Sequence, residues 1–71
     1  MKLYRPSDIT KLTGLPFSTV RFYAEKGLVK EAKRTAGGDR RYDERALRRF
    51  QQLAKLREAR RKALEKLSLP H

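Results

Sequence analysis

Three features of the sequence predict a mainly α, winged helix-turn-helix domain, with two short helices, a two-stranded β wing and a long C-terminal helix. Two stretches with helical apolar spacing are joined by a short connection around Gly14-Leu15, the spacing of a helix-turn-helix. A Gly37-Gly38-Asp39 centre lies between short basic segments and reads as a hairpin. From Asp43 onward nothing breaks a helix until Ser68-Leu69-Pro70.

A chain of 71 residues makes a single domain spanning 1–71. Such a chain buries only about 60% of the surface its unfolded form exposes, so the core is small. The expected layout is a helix-turn-helix over about 7–27, a wing over about 30–42 and a long helix over about 43–67. Cysteine is absent, which removes disulfides, thiolate metal sites and cysteine nucleophiles, and the one histidine, His71, ends the chain. No apolar run approaches the ~20 residues of a membrane span, and the N-terminus lacks the apolar core of a signal peptide. The expectation is a soluble, cytoplasmic, nucleoid-associated protein with no cofactor, no metal and no membrane partner. Its 19 Lys+Arg against 8 Asp+Glu leave a formal charge of +11. A small domain stays soluble on a net charge of about 2–8, so the excess points to a polyanion, with nucleic acid first.

Each element has local support. Ser7 is a candidate N-cap for a first helix over about 7–13, with Ile9, Leu12 and Thr13 at helical spacing and Gly14 as its stop. The second helix starts near Pro16 or Phe17, where a missing N–H is harmless, and ends at Gly27. Phe17, Val20 and Ala24 form its apolar stripe, with Phe22 and Tyr23 beside it, and both phenylalanines read as core. Leu28 and Val29 then pack back. The wing's strands run from Val29 to Thr35 and from Arg40 to Tyr42, too short to stand without the helices. Asp43 caps the long helix and Glu44 suits its positive start. Ala46, Leu47, Phe50, Leu53 and Ala54 face the core, while Leu56, Ala59, Ala63, Leu64 and Leu67 form a thinner second stripe. Unbroken, this helix is ~37 Å long, so its last turns project or pair.

The stretches Ser7-Asp8-Ile9-Thr10-Lys11-Leu12-Thr13-Gly14-Leu15 and Val20-Arg21-Phe22-Tyr23-Ala24-Glu25-Lys26-Gly27-Leu28-Val29 resemble the MerR family of winged-helix transcription regulators. The segment from Arg34 through Gly38, Arg40 and Tyr42 resembles that family's wing, and the elements follow in the same order over about residues 4–57. Four departures stand out. Thr10 replaces a small alanine, Pro16 replaces a Ser/Thr cap, and Asp39 replaces an aromatic or histidine of the wing. The fourth helix, long dimer helix and effector domain of full-size members have no counterpart, so the chain resembles the small, DNA-binding-only members.

The resemblance implies a transcriptional regulator that binds specific double-stranded DNA without a small-molecule sensor of its own. Arg21, on the helix that enters the major groove, is placed to bond a guanine edge or a phosphate. Ser18 and Thr19 either reach base edges or satisfy free N–H groups at the helix start. Tyr23 combines a half-buried ring with a hydroxyl for phosphate. Arg34, Arg40 and Arg41 flank the hairpin tip, and Gly38 with Gly37 lets the backbone approach the sugar-phosphate chain. Tyr42 is first a packing residue against the third helix and second a phosphate contact. Residues 57–62 form a solvated basic face. An excisionase-like protein that bends DNA and a basic RNA- or ribosome-associated protein are the two rivals. No catalytic constellation or phosphate-cradling motif argues for an enzyme. A coiled-coil seam needs about three heptads, and the second stripe is shorter. The chain is therefore expected to be a monomer in solution, with cooperative self-association on DNA.

Overall fold

The structure, a computed structural model, describes residues 2–68, with Leu67 and Ser68 described as backbone only. Three helices and one hairpin follow in the order α1 (Pro6–Thr13), α2 (Phe17–Glu25), β1 (Lys33–Arg34), β2 (Arg40–Arg41) and α3 (Glu44–Ser68). This is the mainly helical winged helix-turn-helix that the sequence predicts. The helix stop at Leu69-Pro70 and the behaviour of His71 lie outside the described residues.

The first helix begins one residue earlier than expected, and Ser7 is not its cap. Pro6 occupies the first helical position, where its fixed φ suits the turn, and Arg5 is the flanking N-cap residue. The stabilising side chain is Asp8, whose Oδ2 accepts the Arg5 N–H at 2.9 Å. At the other end the Gly14 N–H returns to the Thr10 carbonyl at 2.9 Å, and Thr13 Oγ1 donates to the Ile9 carbonyl at 2.6 Å. The same Thr13 hydroxyl accepts from the Leu15 N–H at 3.2 Å, which fixes the corner between α1 and α2.

Helix α2 ends in a Schellman motif. The Leu28 N–H bonds the Tyr23 carbonyl at 3.0 Å and the Gly27 N–H bonds Ala24 at 3.2 Å, with Gly27 left-handed at φ 76°. The chain then turns so that Val29 is buried while Leu28 stays exposed, a correction to the expectation that both pack back. Arg49 Nε donates to the Leu28 carbonyl at 3.3 Å and ties this corner to α3.

The paired strands are shorter than expected. Lys33 pairs with Arg41 and Arg34 with Arg40, antiparallel, and the rest of the wing is loop. Compensation comes from the N-terminus. Tyr4 and Tyr42 exchange backbone hydrogen bonds of 2.6 and 2.9 Å, an antiparallel bridge that carries the hairpin's exit onto the body. The Tyr4 hydroxyl donates to Glu44 Oε2 at 2.8 Å, which joins this bridge to the start of α3. That start is capped as predicted, with Asp43 Oδ1 accepting the Ala46 N–H at 2.9 Å.

The core gathers one residue each from α1 and α2, three from α3 and four from the segments between and before them: Ile9, Val20, Ala46, Leu47, Phe50, Tyr4, Leu15, Val29 and Tyr42. Leu53 and Ala54 pack on its edge, and from Lys55 to Lys66 every residue of α3 is exposed. The second half of this 25-residue helix therefore projects beyond the body, as its length demands, and the molecule measures 55 × 20 × 19 Å.

Candidate nucleic-acid interface

Helix α2 is held by Val20, which is fully buried, with Tyr23 and Ala24 half-buried beside it. These spacings of three and four residues define its inner face. Phe22 lies two residues from Val20, about 200° round the helix, and therefore cannot share that face. Its ring is half exposed, tilted against Tyr23 at 6.1 Å, with Lys26 Nζ 5.7 Å from its centroid. Phe17, in the first turn, is equally exposed. Neither phenylalanine is core, contrary to the expectation from sequence. Ser18 is exposed and Thr19 half-buried, while the exposed Arg21 pairs with Glu25 one turn on, Nε to Oε1 at 2.9 Å.

The wing is anchored by Tyr42. Its ring is 1% exposed and meets Phe50 edge-on at 5.1 Å and 87°. Burial pushes its phenol pKa up. Its surroundings thus fit the packing role. At the tip the Gly38 N–H bonds the Thr35 carbonyl at 2.9 Å, with Gly38 at φ 86°, a backbone conformation that glycine adopts without strain. Thr35 Oγ1 accepts from the Asp39 N–H at 3.1 Å and closes the turn. Arg41 Nη1 donates to the Arg40 carbonyl at 3.0 Å.

Every paired position of the hairpin is a cation, and like charges directly opposite destabilise a sheet. The Arg34/Arg40 pair is relieved by Glu31. Its Oε1 accepts Arg34 Nε and its Oε2 accepts Arg40 Nε at 2.8 Å. The hydrogen bond from Arg34, with a further one from Arg40, holds the Glu31 carboxyl below the usual carboxylate range, and the same bond raises the pKa of Arg34. Glu31 is absent from the residues singled out by sequence, where its one signal is the spacing of three residues to Arg34.

Helix α2 and the wing tip enclose one concavity of about 260 Å³, lined by Pro6, Phe17, Val20, Arg21, Gly38, Asp39, Arg40 and Tyr42. Four of the nine predicted site residues, Arg21, Gly38, Arg40 and Tyr42, thus converge on one side. A second concavity, about 570 Å³, lies between the end of α2 and the outer side of the wing, with Lys30, Glu31, Lys33, Arg34 and Arg40 among its walls. Arg40 belongs to both. Ser18, Thr19, Tyr23 and Arg41 line neither. Among the described residues no group of His, Cys, Asp or Glu is arranged to hold a metal ion, and no helix is long and apolar enough to cross a membrane.

Two helices joined at a tight glycine corner, a basic hairpin and a closing helix define the winged helix-turn-helix class. Comparison with known proteins narrows it. Residues 4–68 match the family described as MerR HTH family regulatory protein, and the chain belongs to that family. It is 44% identical over 54 residues to the HTH-type transcriptional regulator CueR of Escherichia coli O157:H7, covering 76% of this chain and 38% of that protein. It is 34% identical over 55 residues to the nodulation protein NolA of Bradyrhizobium elkanii, covering 78% of this chain and 25% of that one. Among solved structures, HiNmlR, a MerR family regulator lacking the sensor domain and bound to promoter DNA, superposes with a TM-score of 0.69. That match has 26% identity and covers 80% of this chain and 43% of the other. A MerR family transcriptional regulator from Bacillus cereus shares the fold, with a TM-score of 0.66 at 20% identity, over 97% of this chain and 46% of that one. The chain thus spans less than half the length of each of these proteins.

Proposed function

We propose that this chain binds double-stranded DNA through α2 and the wing, and that it regulates transcription without a small-molecule sensor within these residues. The observation that carries this reading is the concavity between α2 and the wing tip. Arg21 stands on its helical wall and Gly38 and Arg40 on its hairpin wall. Cations on two elements, the exposed Arg21 and the half-buried Arg40, set apart across a hollow, suit the two edges of a duplex groove, and the net charge of +11 supplies attraction over a longer range. A relative with the same fold, HiNmlR, was solved on promoter DNA, which supports the assignment.

In this reading Arg21 contacts a base edge or phosphate in the major groove, with Ser18 and Thr19 beside it. Tyr23 turns its hydroxyl to the backbone, while Arg34, Arg40, Arg41 and the N–H groups around Gly38 hold phosphates. Tyr42 acts only by anchoring the wing. The protein is a non-catalytic, nucleoid-bound cytoplasmic regulator. The chain alone is monomeric, because the apolar residues of the projecting half, Leu56, Ala59, Ala63 and Leu64, are few among exposed Arg and Lys. Copies meet on DNA, where phosphates neutralise their repulsion. Selection of bound sites from random duplex DNA, with the stoichiometry of the complex, tests this reading. An enriched motif bound by single or adjacent copies is the expected result. Failure to enrich any duplex, or preference for single-stranded RNA, refutes it.

A further inference from the structure

We infer that Glu31 is a positioning residue of the wing: one carboxylate grips Arg34 and Arg40 by their Nε edges and presents both guanidiniums to DNA phosphate. The inference rests on the DNA-binding reading above and goes beyond it. Arg34 and Arg40 face each other across the hairpin register, one from each strand. Glu31 lies outside both strands, yet its two oxygens reach the two Nε atoms, at 2.8 Å for Arg40. Glu31 and Arg40 are buried to a similar depth, their side chains 25% and 23% exposed, while Arg34 is the more exposed partner at 53%.

A guanidinium carries five donors in a rigid plane. Engagement through Nε leaves the terminal Nη edge for a second anion, so a phosphate need not displace the carboxylate. The arrangement also offsets the repulsion of two cations held opposite each other in a ladder of only two residue pairs. Without Glu31 the two side chains separate and lose the shared orientation that makes paired phosphate contacts strong.

The alternative role for an acid at this place is a mask that competes with DNA, and the two roles give opposite signs. Glu31→Gln raises the net charge by one. Bare electrostatics then predicts tighter binding to a polyanion. Positioning predicts weaker binding. The probe is a random-sequence DNA duplex two helical turns long, titrated over a salt series. Binding is measured well below the thermal midpoints of both proteins, with circular dichroism reporting the folded state.

The wild type is measured first, and absence of salt-dependent binding there refutes the DNA reading itself. Given wild-type binding, Glu31→Gln is expected to lose about tenfold in affinity near 0.1 M salt, with a slope of log K against log[salt] shallower by about 0.9 for each phosphate that the wing no longer engages. Unchanged or tighter binding overturns the inference. Weaker binding with an unaltered slope also overturns it, since a merely structural role does not change the number of phosphates engaged. In an Arg34→Ala/Arg40→Ala background the Glu31→Gln effect is expected to vanish, and its persistence refutes the coupling. The charge-preserving pair Arg34→Lys/Arg40→Lys gives a second measurement. A lysine ammonium lacks two separate donor edges. The pair is therefore expected to bind more weakly than the wild type, and wild-type affinity contradicts the geometry.

Discussion

Replacing Phe50 by leucine tests how the wing is attached to the helices. Phe50 is fully buried, and its ring takes the edge of Tyr42, the residue at which the hairpin meets the body. Leucine keeps most of the apolar volume but removes the ring contact, worth about 0.5–1.5 kcal/mol beyond burial. Imperfect filling by the new side chain adds a penalty of up to about 1 kcal/mol. The expected loss is therefore about 1–2 kcal/mol. A domain of this size loses about 4–8 °C of Tm per kcal/mol, so the midpoint should fall by about 5–15 °C. In urea, with an m value near 1 kcal/mol/M, the transition should move down by about 1–2 M. Phe50→Ala is too blunt for this purpose. Its loss of about 3–5 kcal/mol rivals the whole stability expected for 71 residues, about 4–11 kcal/mol. Thermal and urea unfolding followed by far-ultraviolet circular dichroism read the effect. A Phe50→Leu midpoint equal to that of the wild type would refute the claim that the Tyr42–Phe50 pair anchors the wing.

Further expectations follow from other sites. Arg21→Ala should narrow the gap between selected and random duplexes by about 1–3 kcal/mol, whereas Arg40→Ala should weaken both alike and lower the salt slope by about 1; competition titrations distinguish them. Thr10 Oγ1 is buried without a hydrogen-bond partner, so Thr10→Val should stabilise the fold by about 1 kcal/mol, seen as a rise of about 4–8 °C in Tm. The hydrogen bond to Glu44 raises the pKa of Tyr4 above its ordinary 10.0. A pKa raised by folding gives stability that is complete below the unfolded value and lost as pH rises through the folded one. Tm should therefore hold from neutrality to about pH 10 and then decline, and Tyr4→Phe should lower the plateau and soften that decline.

Much of this fold is legible in the sequence because its signals are local. Gly14 and Gly27 end helices, Asp43 starts one, and the spacing of Ala46, Leu47 and Phe50 marks the inner face of α3. What escapes depends on partners distant in the chain. The bridge between Tyr4 and Tyr42 is a long-range pairing without local pattern. Ser7 has the chemistry of a cap, but Pro6 before it and Asp8 after it shift the helix start by one residue. Hydrophobicity alone puts Phe17 and Phe22 in the core, and on a helix of nine residues the packing of Val20, Tyr23 and Ala24 leaves them outside. At the candidate site the cations are visible as residue types, but only one of the acids that hold them is. Glu25 beside Arg21 follows from helical spacing, whereas Glu31 reaches Arg40 only once the hairpin has closed.

Affinity for a duplex as a function of salt tests the central claim most directly. Five phosphates neutralised by α2 and the wing give a slope of log K against log[salt] near −4.5. The account predicts a slope of about that size on duplex DNA, with weaker binding to single-stranded RNA of the same length. A slope near zero, or tighter binding to the RNA, would contradict it.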